Sequence, residues 1–173
     1  MGGRDRPYGA WPSPFSTEMV VAGARTISEV RVDGDDVYWL EGRPDQGGRY
    51  VVVRRGPDGT PKDVTPEGSN VRTRVHEYGG GSYVVSDGTV WYVEYADQGL
   101  YRLEPGGPRP VTPEPDRRAA VRYADFDRSP DGRWLAAVRE THHGERAEQV
   151  VSEVVAIPAD GMGEERVLAT GHD

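Results

Sequence analysis

The apolar positions of this chain fall in short runs, and three of these runs follow turns of one type. Each turn contains Asp-Gly, and the three glycines, Gly34, Gly88 and Gly132, lie 54 and 44 residues apart. The runs that follow are rich in β-branched and aromatic residues, at 37–40, 90–93 and 134–138. Asp-Gly is a hairpin signal, and short runs that are apolar at consecutive positions are typical of strands buried on both faces. The pattern therefore predicts a repeated hairpin.

Further strands complete each repeat. One is predicted before each turn, at residues 27–32, 82–85 and 121–126, and another after each hairpin, at 50–53, 99–103 and 154–157. A closing strand is predicted at 64–68, 111–115 and 166–170, and the polar segment 141–149 is predicted as a loop. Aromatic residues at similar places in the repeat are predicted to pack between units: Trp39, Trp91, Tyr92 and Trp134. Four strands per unit of about 50 residues are typical of propeller blades. We predict an all-β fold, a partial β-propeller of about three four-stranded antiparallel blades.

The repeats divide the chain into five predicted segments. Residues 1–26 form an N-terminal segment, residues 27–68, 69–115 and 116–170 form three blades, and residues 171–173 begin a fourth. A propeller ring needs about four to eight blades, so three would leave two apolar faces uncovered. The sequence thus predicts an N-terminal fragment of a longer protein, or a piece that assembles with others, including copies of itself.

Charge and composition narrow the classes of partner. The 173 residues carry a net charge of −8 and a single lysine, Lys62, which argues against nucleic acid and anionic membranes as partners. No cysteine is present, which excludes disulfides and thiolate metal sites. Neither GxxxxGK[ST] nor GxGxxG occurs, so we predict no cofactor. The sequence lacks a signal peptide and an apolar run of membrane length, and we expect a soluble, cytoplasmic protein.

Three stretches carry a resemblance to a known family. They are WPSPF at residues 11–15, VRTRVHEYGGGSYVV at residues 71–85 and SPDGRWLA at residues 129–136. SPDG is common among propellers, whereas HEYGGGSY combined with WPSP is more specific. Together they resemble the start of bacterial serine peptidases of the prolyl oligopeptidase family, in the group of dipeptidyl aminopeptidases and acylaminoacyl-peptidases.

The resemblance implies a peptidase in two parts. In that family an N-terminal propeller caps a C-terminal α/β-hydrolase domain with a Ser-Asp-His triad, and it admits short peptides as substrates while sparing folded proteins. The N-terminal segment would pack on the hydrolase domain. The nucleophile motif G-x-S-x-G is absent here. The family pattern therefore puts the triad beyond Asp173 and leaves this chain with no catalytic residue. The alternative is a non-catalytic propeller, a scaffold or protein-binding module that self-assembles.

The most unusual local sequence is HEYGGG, in which three glycines allow a bulge or a close approach of backbones. Glu77 could face the central cavity and bind the free amino group of a substrate through charge-assisted hydrogen bonds. Arg72 and Arg74 could instead orient a substrate carboxyl or carbonyl, and Tyr78 completes the predicted substrate-binding set. In the structural alternative, Tyr78 fills a gap between blades and Glu77 pairs with a nearby arginine.

Two other groupings carry weaker signals. Imidazole and acidic groups cluster in the third hairpin: Glu140, His142, His143 and Glu145. Adjacent histidines on a strand point to opposite faces and chelate poorly, so we predict no metal site. Asp125 and Asp127 alternate along a predicted strand and would share a face as a pair for acid–base work, although Asp127 more simply caps the following turn.

Overall fold

Three four-stranded antiparallel sheets follow one another along the chain. A computed structural model describes residues 13–16, 19, 23–144 and 146–171. The first sheet contains β1 (Thr26–Asp33), β2 (Asp36–Arg43), β3 (Arg49–Arg55) and β4 (Pro61–Asp63). The second contains β5 (Tyr83–Ser86), β6 (Thr89–Val93), β7 (Leu100–Glu104) and β8 (Gly107–Pro110). The third contains β9 (Val121–Arg128), β10 (Trp134–His142), β11 (Val150–Pro158) and β12 (Arg166–Gly171). Each sheet is a meander, and together they form the predicted all-β partial propeller.

The middle sheet is buried on both faces. Its first strand, β5, lies between the first strands of the other two sheets, β1 and β9. One core cluster joins the first and second sheets: Tyr38, Leu40, Val52, Val71, Tyr83, Val85, Val90 and Tyr92. Another joins the second and third: Val84, Trp91, Val93, Leu100, Val111, Tyr123, Phe126, Leu135, Ala137, Val155, Ile157 and Ala159. Burial from both sides explains why the middle strands are apolar at consecutive positions.

The repeated aromatic residues do not all occupy equivalent positions. In each hairpin, the cross-strand residue pairs can be counted outward from the turn. The third pair contains Tyr38 in the first sheet and Trp91 in the second, so these two residues are equivalent. The next residues along the strands, Trp39 and Tyr92, are equivalent as well. Trp91 and Tyr92 are buried between sheets, as predicted. Trp39 and Trp134 are only half-buried and belong to neither core cluster. The prediction that all four pack between blades is therefore confirmed for Trp91 and Tyr92. It stays a prediction for Trp39 and Trp134, whose side chains lie on the faces of the first and third sheets that point away from the second sheet.

The SPDG turn of the third hairpin is fixed by side-chain hydrogen bonds. The Ser129 hydroxyl donates to Asp131 Oδ1 at 2.7 Å and accepts the Trp134 N–H at 3.0 Å. Arg133 donates to the same carboxylate from its backbone N–H at 3.1 Å and from Nε at 2.6 Å. These bonds, led by that of Ser129, lower the pKa of Asp131 to about 2. Gly132 follows at φ 71°, where a side chain would be strained.

The sequence pattern predicts the fourth strands of the first two sheets at the VTPEG and VTPEP segments, residues 64–68 and 111–115. This position is wrong, because β4 and β8 end just before these segments. The Val64 N–H still donates to the Val52 carbonyl at 2.8 Å, and the Thr65 hydroxyl accepts the Val52 N–H at 3.2 Å. The threonine side chain thus takes the place of the next backbone acceptor, and the following proline has no N–H to continue the ladder. Thr112 repeats this bond with the N–H of Leu100 at 3.1 Å.

Two first strands contain a bulge at an acidic residue. In β9 the register with β10 shifts between Ala136 and Val138, and Asp125 has a φ of 58°. In β1 the register shifts after Ser28, and Glu29 has a φ of 49°. A bulge interrupts the alternation of side chains along a strand. The expectation that Asp125 and Asp127 share a face through regular alternation is therefore wrong.

The segment borders stay predictions. β1 begins at Thr26 and β12 extends to Gly171, while most of the N-terminal segment and residues 172–173 lie outside the described residues. The predicted loop 141–149 is shorter in the structure, because β10 continues to His142. Within the described residues, no helix has the length and apolar character needed to cross a bilayer. The cytoplasmic location stays a prediction.

Candidate functional site

The three consecutive glycines lie where a neighbouring carboxylate approaches the backbone. Asp125 in the β9 bulge accepts the Gly81 N–H at 2.6 Å, and its own N–H donates to the Gly81 carbonyl at 2.8 Å. A Cβ on Gly80 would lie 2.9 Å from Asp125 Oδ2 and 3.0 Å from the Cβ of Ala124. Gly79 has a φ of +86°. The glycines therefore allow β9 to pack closely against the segment that leads into β5.

A second carboxylate holds the other side of this segment. Glu29, in the β1 bulge, accepts the Ser82 N–H at 2.7 Å and the Ser82 hydroxyl at 2.9 Å. The Tyr83 hydroxyl donates to the Glu29 carbonyl at 2.6 Å. Burial raises the pKa of Glu29, against the opposing effect of the Ser82 hydrogen bonds. Residues 81 and 82 are thus held between two carboxylates, each in a bulge of a neighbouring sheet. We call this pair, Glu29 and Asp125, the acidic clamp.

Replacing Gly80 with alanine is expected to destabilise the chain by about 1–3 kcal/mol, because the new methyl group enters space held by Asp125 and Ala124. Urea denaturation measures the change in the free energy of unfolding. Gly106→Ala is the matched control, because a Cβ there meets no atom within 4 Å. Its effect should stay within about 0.5 kcal/mol. Equal losses in the two variants would contradict the close-approach explanation.

A strained turn precedes the glycines. The 3-10 turn Val75–Glu77 contains two non-glycine residues with positive φ, His76 at 52° and Glu77 at 60°. Such conformations cost on the order of 1–3 kcal/mol each and persist where the surroundings enforce them. The Glu77 side chain is 67% exposed and Tyr78 is 97% exposed. Tyr78 therefore does not fill a gap between blades, and that part of the structural alternative is wrong.

Arg122 in β9 connects the turn to a buried carboxylate. Its Nη1 donates to Glu77 Oε1 at 2.6 Å and to the Arg74 carbonyl at 2.8 Å, and it lies 3.5 Å from Glu140 Oε2. Arg122 and Glu140 are 7% and 3% exposed. The hydrogen bond from Arg122 lowers the pKa of Glu77, so this carboxylate is ionised at neutral pH. Glu77 thus pairs with an arginine, as the structural alternative proposed.

Glu140 in β10 also contacts the turn Val75–Glu77. Its Oε1 accepts the backbone N–H of His76 at 3.1 Å, and its Oε2 lies 2.8 Å from His142 Nε2. The adjacent His143 instead donates its backbone N–H to the Gln149 carbonyl at 2.9 Å. The part of the chain that the structure describes contains no group of three or more His, Cys, Asp or Glu that could hold a metal ion, and Glu145 lies outside it.

A cleft of about 990 Å³ opens over this network. Sites for small ligands occupy about 300–1,000 Å³. Three of the four predicted site residues, Arg74, Glu77 and Tyr78, line the cleft together with loop residues before β9 and between β10 and β11. Arg72 lines a smaller cavity of about 220 Å³ beside Glu29. Tyr78 lines both cavities. The guanidinium groups of Arg72 and Arg74 lie 5.2 Å and 5.9 Å from the centre of the Tyr95 ring.

The sequence pattern does not predict the central role of Arg122 and Glu140. Both lie within strands, where a charged side chain among buried residues signals an internal ion pair. A charged residue within a buried strand thus indicates that an ion pair is present, but it does not indicate which residue is the partner. The partners come from two different strands and from a turn more than 40 residues earlier in the chain.

Comparison with known proteins places this fold among peptidases. No model of a known protein family and no curated protein matches the chain. A puromycin-hydrolysing peptidase of Mycobacterium tuberculosis is 39% identical over 97% of the chain, with a TM-score of 0.82. A puromycin hydrolase is 33% identical over 95% of the chain, also with a TM-score of 0.82. The chain belongs with the propeller portions of the prolyl oligopeptidase family.

This propeller portion is short relative to the proteins it matches. It spans 28% of the length of the Mycobacterium tuberculosis peptidase and 27% of the puromycin hydrolase. Sequence identity and fold agree over nearly all of the chain, so the propeller portion aligns with these peptidases throughout its three sheets.

Proposed function

We propose that this propeller portion belongs to a serine aminopeptidase or oligopeptidase and controls which peptides reach its reacting residues. The support is its similarity to a puromycin-hydrolysing peptidase and a puromycin hydrolase over nearly its whole length. The proposed Ser-Asp-His triad lies in an α/β-hydrolase domain outside these 173 residues. There serine attacks the peptide carbonyl, histidine takes its proton, and aspartate orients the histidine.

The observation that carries the proposal is the position of Glu77 at the cleft. One oxygen of its carboxylate is held by Arg122, and among the described residues the other has no hydrogen-bond partner. The exposed ring of Tyr78 is adjacent, and an aromatic face attracts a cation. An ionised carboxylate beside an aromatic ring suits the ammonium group of a peptide. We propose that Glu77 and Tyr78 bind the amino terminus of a short peptide that enters the cleft.

The variant Glu77→Gln is expected to lower kcat/KM about 10- to 100-fold for peptides with a free amino terminus, because a hydrogen bond to a charged group contributes about 1.5–3 kcal/mol. The assay uses the intact protein that carries this sequence. N-acetylated peptides of the same sequence should be turned over equally by both forms. Asp45→Asn is the matched control, because Asp45 is another exposed carboxylate paired with an arginine. Equal losses for free and acetylated peptides would contradict recognition of the ammonium group.

The peptidase assignment is tested first by the size of the native protein. An antibody to this chain should detect a band much heavier than 19.0 kDa in native cells, and that protein should hydrolyse short peptides. A band at 19.0 kDa without peptidase activity would contradict the proposal.

A second candidate is a non-catalytic propeller module that assembles with copies of itself. Large apolar side chains are exposed on β1 and β12: Ile27, Val30, Val32, Val167 and Leu168. Apolar strand surfaces of this kind favour packing against a further sheet. A native band at 19.0 kDa that sediments as an oligomer would support this candidate over the peptidase.

A further inference from the structure

Several of the arginines that line the cleft have no carboxylate partner among the described residues. Arg74, Arg117 and Arg118 all line it, and within the described residues none of them forms an ion pair with a carboxylate. The other two arginines of the cleft are compensated, because Arg122 pairs with glutamates and Arg146 lies 3.6 Å from Glu148. We call the first three the arginine corner.

Neutral groups hold the arginine corner in place. Arg117 Nη2 donates to the His142 carbonyl at 2.6 Å, and Arg118 Nε donates to the Ala96 carbonyl at 2.6 Å. The guanidinium of Arg74 lies against the face of Tyr95, which precedes Ala96 in the chain. Arg74 and Arg118 are therefore anchored at one bend, at residues 95–96. A carbonyl or an aromatic ring orients a guanidinium without neutralising it, so the positive charge stays available to a ligand.

The charges around the cleft favour a ligand that carries both signs. The described lining contains five arginines and three glutamates, although the whole chain has a net charge of −8. Glu140 is buried with Arg122, which leaves exposed Glu77 as a negative group facing the same space as the arginine corner. A multiply charged anion such as phosphate would meet repulsion from Glu77. A zwitterionic peptide places its ammonium and its carboxylate on groups of opposite sign.

We propose that the arginine corner binds the free α-carboxylate of a short peptide. The proposal rests on the function proposed above, in which peptides enter this cleft, and it adds selection for the opposite end of the peptide. Guanidinium groups match the planar carboxylate and form paired, charge-assisted hydrogen bonds with it. A cleft of about 990 Å³ has room for only a short peptide, so binding both ends selects for length as well as for charge.

The test is isothermal titration calorimetry of the intact protein with N-acetyl-Ala-Ala and with the amide of the same peptide. The acid should bind at least about tenfold more tightly than the amide, because only the acid carries a negative charge and two acceptor oxygens that can pair with a guanidinium group. The double variant Arg117→Gln with Arg118→Gln, which keeps only Arg74 of the arginine corner, should lose most of the preference for the acid. Arg55→Gln is the matched control, because Arg55 Nε also donates to a backbone carbonyl, that of Gly59 at 3.0 Å, but lies outside the cleft. It should keep the full preference for the acid.

Three results would overturn the proposal. They are equal affinity of the wild type for the two probes, an undiminished preference for the acid in the double variant, and displacement of the acid by inorganic phosphate at an equal or lower concentration. The wild-type comparison needs no variant to fold. The acetylated probes carry no ammonium group and their binding requires no turnover. If the intact protein hydrolyses no peptide, the proposed peptidase function is contradicted. The binding of the acid and the amide still tests the arginine corner, because calorimetry measures affinity and not hydrolysis.

Discussion

Arg122→Met is expected to destabilise the chain by about 3–5 kcal/mol, because it leaves Glu140 as a buried carboxylate without its cation. Methionine retains much of the apolar stem but cannot donate to Glu77 or to the Arg74 carbonyl. The free energy of unfolding from urea denaturation measures the loss.

Two comparisons isolate the cause of this loss. Arg54→Met removes an exposed ion pair with Asp36, in which the arginine side chain is 50% exposed, and should cost less than about 1 kcal/mol. The double variant Arg122→Met with Glu140→Met should recover part of the stability, because removing both members of a buried pair costs less than removing one. A single variant no worse than Arg54→Met would show that the buried pair contributes little.

Trp91→Ala is expected to destabilise the chain by about 3–5 kcal/mol, because it removes the largest fully buried side chain between the second and third sheets. The indole N–H donates to the Ala159 carbonyl at 2.8 Å, which ties β6 to the end of the third sheet. The guanidinium groups of Arg102 and Arg128 lie 5.7 Å and 5.4 Å from its ring and lose this cation–π contact as well.

Trp39→Ala provides the matched comparison for Trp91→Ala. Trp39 lies between Tyr38 and Leu40, which face the second sheet, so its side chain is on the opposite face of β2 and is only half-buried. Its loss should cost clearly less than that of Trp91, when both are measured by urea denaturation of this chain. A Trp39→Ala effect equal to that of Trp91→Ala would contradict the assignment of the two faces.

The architecture could be predicted because the repeat carries it several times. The Asp-Gly turns and the runs that follow them recur, so three hairpins support the same interpretation. The third closing strand, predicted at 166–170, is observed at Arg166–Gly171. The first two lie before their predicted positions, because VTPEG is apolar and β-branched at its start, while its threonine ends the ladder by accepting the N–H of the opposite strand. The local sequence pattern therefore predicts how many strands there are. It does not predict where the fourth strands of the first two sheets end, because a threonine side chain accepts the hydrogen bond that a backbone carbonyl would otherwise accept.

The candidate site was predictable only in part, for a physical reason. Three consecutive glycines indicate a close approach, but nothing in the local sequence names Asp125 as the group that approaches. Positive φ at Glu29 and Asp125 is unfavourable for residues with a Cβ, and only contacts across sheets enforce it. Arg74, Glu77 and Tyr78 were brought together because they are close in the chain, whereas Arg122 and Glu140 required the folded sheets.

The acidic clamp also has a mechanical consequence for the cleft. Residues 81 and 82 are fastened to β1 on one side and to β9 on the other, and the turn that presents Glu77 lies only a few residues upstream. Arg122 fastens that turn to β9 a second time. A displacement of Glu77 would therefore be transmitted to β1, β5 and β9, which belong to three different sheets. The turn Val75–Glu77 is therefore attached to the first and third sheets, so a change in the spacing of these sheets would also change the shape of the cleft.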